Sequence, residues 1–530
     1  MKKTRRMTAV IAAMTLTAAM AVPNMMMTAS AASSIEITGI SETINHTFEV
    51  YQIFTGTLAT DGTFSDLKWG SGAAKYDTTD VTEGAFVAPA IIDYISTNNL
   101  TATDIISQIT LSSTKACDDV TSSNGTASIT GLADGYYLVK DVTDLAGKDD
   151  ANSAWIVQVA GTANIEIKNA KPTVDKQILD ETGDAETGAT NGWGESADHA
   201  INEKFQFKLT ATIPVDADYA AYEKYKLVFN DSLSNGITFD KIDSVTVTSS
   251  ASLTGTKAIE PNYKTDASSE KKDWYLEIED IKSIVDTDTT KIFGKEVITV
   301  EVIYTAHLNE EAVVSPNTDT TLKNNNNKVN LTYSNKPYAD GTGDTGTTAD
   351  DYVWCFTYGV NNTKYQVEKK EGNELAGAKF TLYSDSAKTK EIKLIDKGKG
   401  IYIVADQSEE TGVTTEMESY TNGVFNIKGL DAGTYYLAET KAPDGYSAAD
   451  DTIIVINAKH QEKDDGTDAT LTMETNTKNL NNNIVDTKNN SLPSTGGMGT
   501  LFFRLGGGVS AALLGVYLVS KKRAKKETAE

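Results

Sequence analysis

Ile298-Thr299-Val300-Glu301-Val302-Ile303-Tyr304 alternates apolar and polar residues and is dominated by β-branched side chains. A period of two in such a composition reads as a half-buried antiparallel strand. Phe205-Gln206-Phe207-Lys208-Leu209 and Val329-Asn330-Leu331-Thr332-Tyr333 repeat the pattern, and Gly, Asp and Asn turn signals separate the runs. The clearest helical candidate is short, about Ala88–Thr97. Repeated short strands joined by such turns predict a mainly β chain of tandem immunoglobulin-like β-sandwich domains in an elongated array.

With 530 residues, 39% of them hydrophobic, the chain exceeds a single core and suggests two to four domains. Breakers and charge cluster at Asn169-Ala170-Lys171-Pro172-Thr173, which separates a first domain from a second. The run Asp340–Asp351 (DGTGDTGTTADD) is an acidic loop near the end of the second domain. It lacks the alternating ligand spacing of a calcium hand and is read as solvated. The expected division is a signal peptide over 1–31, a first domain over 32–168, a middle domain over 169–360, a third domain over 361–490, and a sorting segment over 491–530.

Lys and Arg number 48 against 74 Asp and Glu, a net charge of -26. Ten of the basic residues lie in the two terminal segments, so the stretch between is still more acidic. Such a chain repels phosphate backbones and anionic lipid, which excludes nucleic acid as a partner. Four His and two Cys, Cys117 and Cys355, exclude a disulfide framework and a Cys/His zinc module. Cys117 lies in a polar stretch, whereas Cys355, between Trp354 and Phe356, is expected to pack as a small apolar residue. No cofactor or metal is expected.

The two ends define the compartment. Met1–Arg6 is basic, Met7–Val22 is apolar, and Ala29-Ser30-Ala31 offers a small-x-small cleavage site. This order reads as a secretory signal peptide; the alternative of a membrane anchor is disfavoured by the short apolar stretch. At the other end, Leu492-Pro493-Ser494-Thr495-Gly496 precedes the apolar stretch Leu501–Ser520 and a basic tail. Within it, Leu505–Ser520 is about a minimal membrane span, with Arg504 able to snorkel at one edge. Pentapeptide, span and basic tail in that order resemble the cell-wall sorting signal of Gram-positive surface proteins. In that family a sortase cleaves between Thr495 and Gly496 and passes the new carboxyl group to an amine.

An internal echo links the first and third domains. Gly131-Leu132-Ala133-Asp134-Gly135-Tyr136-Tyr137-Leu138-Val139-Lys140 resembles Gly429-Leu430-Asp431-Ala432-Gly433-Thr434-Tyr435-Tyr436-Leu437-Ala438-Glu439. Matched on Tyr-Tyr-Leu, Lys140 takes the place of Glu439.

Val174-Asp175-Lys176-Gln177-Ile178, Phe229-Asn230-Asp231-Ser232-Leu233 and Asn327-Lys328-Val329-Asn330-Leu331 mark the second domain. Val367-Glu368-Lys369, Leu375-Ala376-Gly377-Ala378-Lys379-Phe380 and Tyr436-Leu437-Ala438-Glu439-Thr440-Lys441-Ala442-Pro443 mark the third. With the sorting signal, these motifs resemble the sortase-assembled major (shaft) pilins of Gram-positive bacteria, whose domains are of the isopeptide-forming CnaB type. The resemblance covers essentially the whole chain. It implies a structural, non-enzymatic subunit of a cell-wall-anchored pilus. It also implies pilus and housekeeping sortases, other copies of the chain, minor pilins and peptidoglycan as partners, with host surface ligands as a further class. It implies Lys–Asn bonds inside domains, each formed beside a buried carboxyl group.

Strand parity bears on that chemistry. Val174, Lys176 and Ile178 share a face; so do Leu227, Phe229 and Asp231; and so do Asn327, Val329, Leu331 and Tyr333. Asn330 is out of phase, which favours Asn327. Burial lowers a lysine pKa and raises a carboxyl pKa, giving a nucleophilic amine beside a protonated acid. Lys176 is therefore expected to join Asn327 with Asp231 as promoting acid; the other reading is a buried Lys–Asp ion pair with a hydrogen-bonded Asn. In the third domain Lys369 is expected to join Asp486 with Glu439 as promoting acid, and Asn483 is the alternative partner. A Lys–Asp bond loses water where a Lys–Asn bond loses ammonia. No such bond is expected in the first domain, because Lys140 stands where the acid belongs.

Among linker lysines, Lys171 is the expected acceptor of the Thr495 acyl group, with Lys168 as the alternative. The tyrosine usual two residues earlier in the family is absent, position 169 being Asn. Glu439 also lies in what resembles the family's E-box. The rival functional reading is a monomeric wall-anchored adhesin for a host protein or glycan. An enzyme is disfavoured, since no Cys–His or Ser–His–Asp spacing is apparent.

Overall fold

The computed structural model describes residues 33–98, 106–167, 171–180, 192–215, 218–249, 260–268, 271–284, 297–316, 325–463 and 468–489. The expected leader, Lys168 and the sorting segment from Leu492 onward lie outside them. Among the described residues no helix is long and apolar enough to cross a membrane. The chain forms two compact units, Met1–Asp144 with Asn152–Asn169, and Leu145–Ala151 with Ala170–Glu530.

In the first unit, Ser33–Thr38 lies between Thr162–Glu166, to which it is parallel, and Ala127–Leu132, to which it is antiparallel. A second sheet runs Ala154–Val159, Gly135–Asp141, Thr47–Leu58, Phe64–Trp69. Period-two alternation turns Ile35 and Ile37 of one sheet, and Phe48, Val50, Tyr137 and Val139 of the other, into a shared core. The helix Pro89–Asn98 starts at a proline, whose missing N–H is harmless in a first helical turn.

The second unit holds two sandwich lobes with separate cores. In the middle lobe one sheet runs Trp193–Gly194, Thr173–Leu179, Lys204–Ile213, Ile298–Leu308, Ile237–Ser249. The opposing sheet runs Ser196–Asp198, Asp351–Phe356, Asn325–Ser334, Leu227–Leu233, Asp273–Ile278, Lys264–Thr265. Ile298, Val300, Val302 and Tyr304 are wholly buried, as their alternation requires. Cys355 is buried in this core and Cys117 is partly buried in the first unit; both are free thiols.

In the third lobe, Tyr358–Gln366 lies between Asn426–Leu430 and Asn481–Lys488. Its pairing with Asn481–Lys488 is parallel, so the first and last strands of the lobe are neighbours. The facing sheet runs Glu416–Glu418, Lys379–Tyr383, Gly433–Lys441, Thr452–Ile456. A hairpin, Ala458–Glu462 with Ala469–Met473, follows.

The internal echo has a different register from the one its Tyr-Tyr-Leu match suggests. Gly135 (φ 158°) and Gly433 (φ 150°) both open a strand. Two residues on, the Tyr137 hydroxyl donates to the Ala133 carbonyl at 2.7 Å and the Tyr435 hydroxyl to the Asp431 carbonyl at 3.0 Å. Counting from these anchors, Asp141, not Lys140, corresponds to Glu439. Lys140 is half-buried on the opposite face of its strand, while Asp141 is buried and bonded to His46 Nδ1 at 2.8 Å. The extra residue between Gly429 and its Tyr-Tyr pair misled the match.

Candidate functional site: two buried lysine clusters

Lys176 leaves the middle of Thr173–Leu179, on the sheet opposite to Leu227–Leu233 and Asn325–Ser334. Its side chain is fully closed to solvent and its Nζ donates to Asp231 and, at 3.1 Å, to the Tyr304 hydroxyl. That hydroxyl lies 3.1 Å from Asp231 Oδ1 and accepts the Asn327 side-chain amide. Asn327 Oδ1 is buried without a hydrogen bond among the described residues. Lys176, Asp231 and Asn327, the three residues expected from parity, thus converge, and Tyr304 joins them. Phe207 and Tyr304 flank the amine, their ring centroids 5.3 and 5.4 Å away. Tyr304 was legible as a core residue, since it ends the alternating run, but nothing in the sequence marked its hydroxyl.

Burial sets the electrostatics. It lowers the Lys176 pKa against the opposing pull of Asp231, and raises that of Asp231 against the pull of Lys176. Both shifts favour the neutral amine and the protonated acid. The Lys176 backbone N–H donates to Asp351 Oδ2 at 2.6 Å, and burial pushes that carboxyl up to about 6. The acidic loop therefore does not end wholly in solvent: its last residue braces the lysine strand.

The third lobe repeats the arrangement with a different lysine. Lys364, not Lys369, is the buried amine. Its Nζ donates to Glu439 Oε2 at 2.6 Å and to Asp486, and all three side chains are at most 1% exposed. Lys369 is exposed, because the strand ends at Gln366 and Val367 takes a left-handed φ of 64°. The Val367-Glu368-Lys369 motif that pointed to Lys369 lies beyond the end of the strand. Tyr358, Val360, Asn362 and Lys364 share the buried face, and that alternation was the signal to follow. Asp486 lies in this cluster, whereas Asn483 is exposed. Burial raises the Glu439 pKa against the opposing pulls of Lys364 and the Ala449 N–H. Glu439 Oε1 and Asp486 Oδ2 are buried without hydrogen bonds among the described residues.

Lys171 is not a freely exposed linker lysine. About 36% of its side chain is exposed, and its Nζ is held by the Asp149 carboxylate at 2.6 Å and carbonyl at 3.0 Å.

Comparison with known proteins bears on the third lobe and the segment after it. Residues 362–477 match the SpaA prealbumin-like fold domain, and residues 484–527 match the LPXTG cell wall anchor motif. No curated protein matches the chain. Among solved structures, the chain resembles the full-length major pilin SpaD of Corynebacterium diphtheriae at 17% identity and a TM-score of 0.44, covering 86% of this chain and 98% of that one. It also resembles the T6 backbone pilin of Streptococcus pyogenes at 16% identity and a TM-score of 0.48, covering 88% of this chain and 100% of that one. The third lobe thus matches the SpaA prealbumin-like fold domain and the segment after it the LPXTG anchor motif, the mark of a cell-wall-anchored surface protein.

Proposed function

We propose that this protein is the shaft subunit of a covalently polymerised pilus, stiffened by two self-formed internal amide bonds. The observation that carries the reading is the pair of buried lysine clusters, each linking strands far apart in sequence and each holding an acid with a raised pKa. In the middle lobe, the Lys176 amine attacks the Asn327 carboxamide carbon while protonated Asp231 polarises its oxygen. Asp231 then relays the amine proton to the departing nitrogen; one C–N bond forms, one breaks, and ammonia leaves. In the third lobe, Lys364 attacks the Asp486 carboxyl with Glu439 as relay, and water leaves.

A resting ion pair is the competing account of such clusters. It is a poor stabiliser, since desolvating both charges offsets most of their attraction. An amide removes the charges altogether and carries tension along a covalent path. Sortase would then join Thr495 of one subunit to Lys171 of the next, an open head-to-tail contact that yields a filament. Intact mass of the secreted chain tests the internal bonds: one ammonia and one water should be missing from the sequence mass. A mass equal to that of the sequence removes the reading of both clusters. A detergent-resistant ladder on cells tests the polymer, and a single band there supports a monomeric adhesin instead.

A further inference from the structure

A third buried cluster lies where the middle and third lobes of the second unit meet. Asp180 follows the strand Thr173–Leu179, Asp198 ends Ser196–Asp198, and His460 sits in the hairpin strand Ala458–Glu462. One side-chain donor atom from each lies within 4.8 Å of the others, and all three residues are buried.

Hydrogen bonding accounts for only one nitrogen of the imidazole. His460 is 3% exposed, and its Nε2 faces Asp180 without making a hydrogen bond among the described residues. It stands 3.6 Å from Asp180 Oδ2, too far for a hydrogen bond. Two ligands each about 2.1 Å from one tetrahedral ion are about 3.4 Å apart, close to that spacing. The other ring nitrogen, Nδ1, is 2.9 Å from Ser196 Oγ, and Asp198 Oδ2 accepts the Tyr358 hydroxyl at 2.6 Å. Outer contacts of this kind fix the tautomer and aim of metal ligands.

We propose that Asp180, Asp198 and His460 bind one divalent transition-metal ion, of the zinc or manganese type, that ties the middle lobe to the third. One imidazole with two carboxylates suits a borderline ion better than calcium, which prefers oxygen alone. Two carboxylates also balance the ion's charge, which answers the cost of burying them together.

The full secreted chain, stripped with EDTA, is titrated separately with zinc, manganese and calcium chlorides. One equivalent of zinc or manganese is expected, together with a higher melting temperature. Asp198→Asn and His460→Gln should abolish that equivalent, and Ser196→Ala should weaken it about tenfold. Absence of saturable zinc or manganese binding by the wild-type chain overturns the proposal, as does a preference for calcium. So does equal binding by the folded variants. If the ligand variants do not fold, the wild-type chain decides: identical melting with and without EDTA, and no retained metal by elemental analysis, also overturns it. The internal amide bonds do not enter this readout.

Discussion

Lys364 Nζ lies 2.6 Å from Glu439 Oε2, with neither side chain more than 1% exposed. Asp486 completes the contact from residues 122 positions along the chain. A cross-link there closes a loop of that length, which in the chain-entropy account of covalent links is about 4–5 kcal/mol. Glu439→Ala should therefore retain the water of the third lobe and lower its melting point markedly. Lys364→Ala should do the same, and Lys369→Ala should leave mass and melting unchanged. A cross-linked peptide containing Lys369 would reverse the assignment.

Tyr304 bridges Lys176, Asp231 and Asn327 through one hydroxyl. Removing that hydroxyl takes away the acceptor that holds the amine and the carboxamide nitrogen beside Asp231, and misplacing reacting groups by about 1 Å costs on the order of 10²-fold in rate. Tyr304→Phe should slow ammonia loss after refolding without stopping it, whereas Asp231→Ala should stop it. A time course of intact mass separates the two. Equal rates in Tyr304→Phe and wild type would reduce Tyr304 to packing.

Parity explains why one cluster was legible and the other half-legible. Lys176, Asp231 and Asn327 each sit inside a long, regular alternation, so phase alone aimed them inward. The Val-Glu-Lys motif that points to Lys369 lies where its strand has already stopped, and a backbone turn at Val367 has no strong sequence mark. Asp141 was missed because an inserted residue shifted an otherwise good repeat. Asp180, Asp198 and His460 carry no spacing signal at all, since three separate segments bring them together only in the folded unit.

Asp351 provides a pH signature. Its carboxyl titrates at about 6 in the folded chain against 3.8 ordinarily, chiefly through burial. The folded state thus holds this proton more tightly than the unfolded state, so stability is lost as pH rises from about 4 to about 6. Asp351→Asn keeps an oxygen for the Lys176 N–H and should flatten that part of the curve. The gain near neutral pH should be about 1–2 kcal/mol after screening of this half-buried group. Chemical unfolding across this range checks it; a parallel curve for wild type and variant would assign the slope elsewhere.

Lys171 is held by Asp149, and Asp149 Oδ1 also accepts the Tyr333 hydroxyl at 3.1 Å. An acceptor amine has to leave that ion pair to reach an acyl-enzyme. An ion pair at this exposure contributes about 1 kcal/mol or less, so it restrains the amine without locking it. Lys171→Ala should leave only wall-anchored monomer on cells, while Lys168→Ala should still give a ladder. Asp149→Ala, which frees the amine, should give ladders at least as long as the wild type. The opposite pattern for the two lysines moves the acceptor to Lys168. Loss of the ladder in a folded Asp149→Ala chain would instead make the carboxylate a positioning group that presents Lys171 to the enzyme.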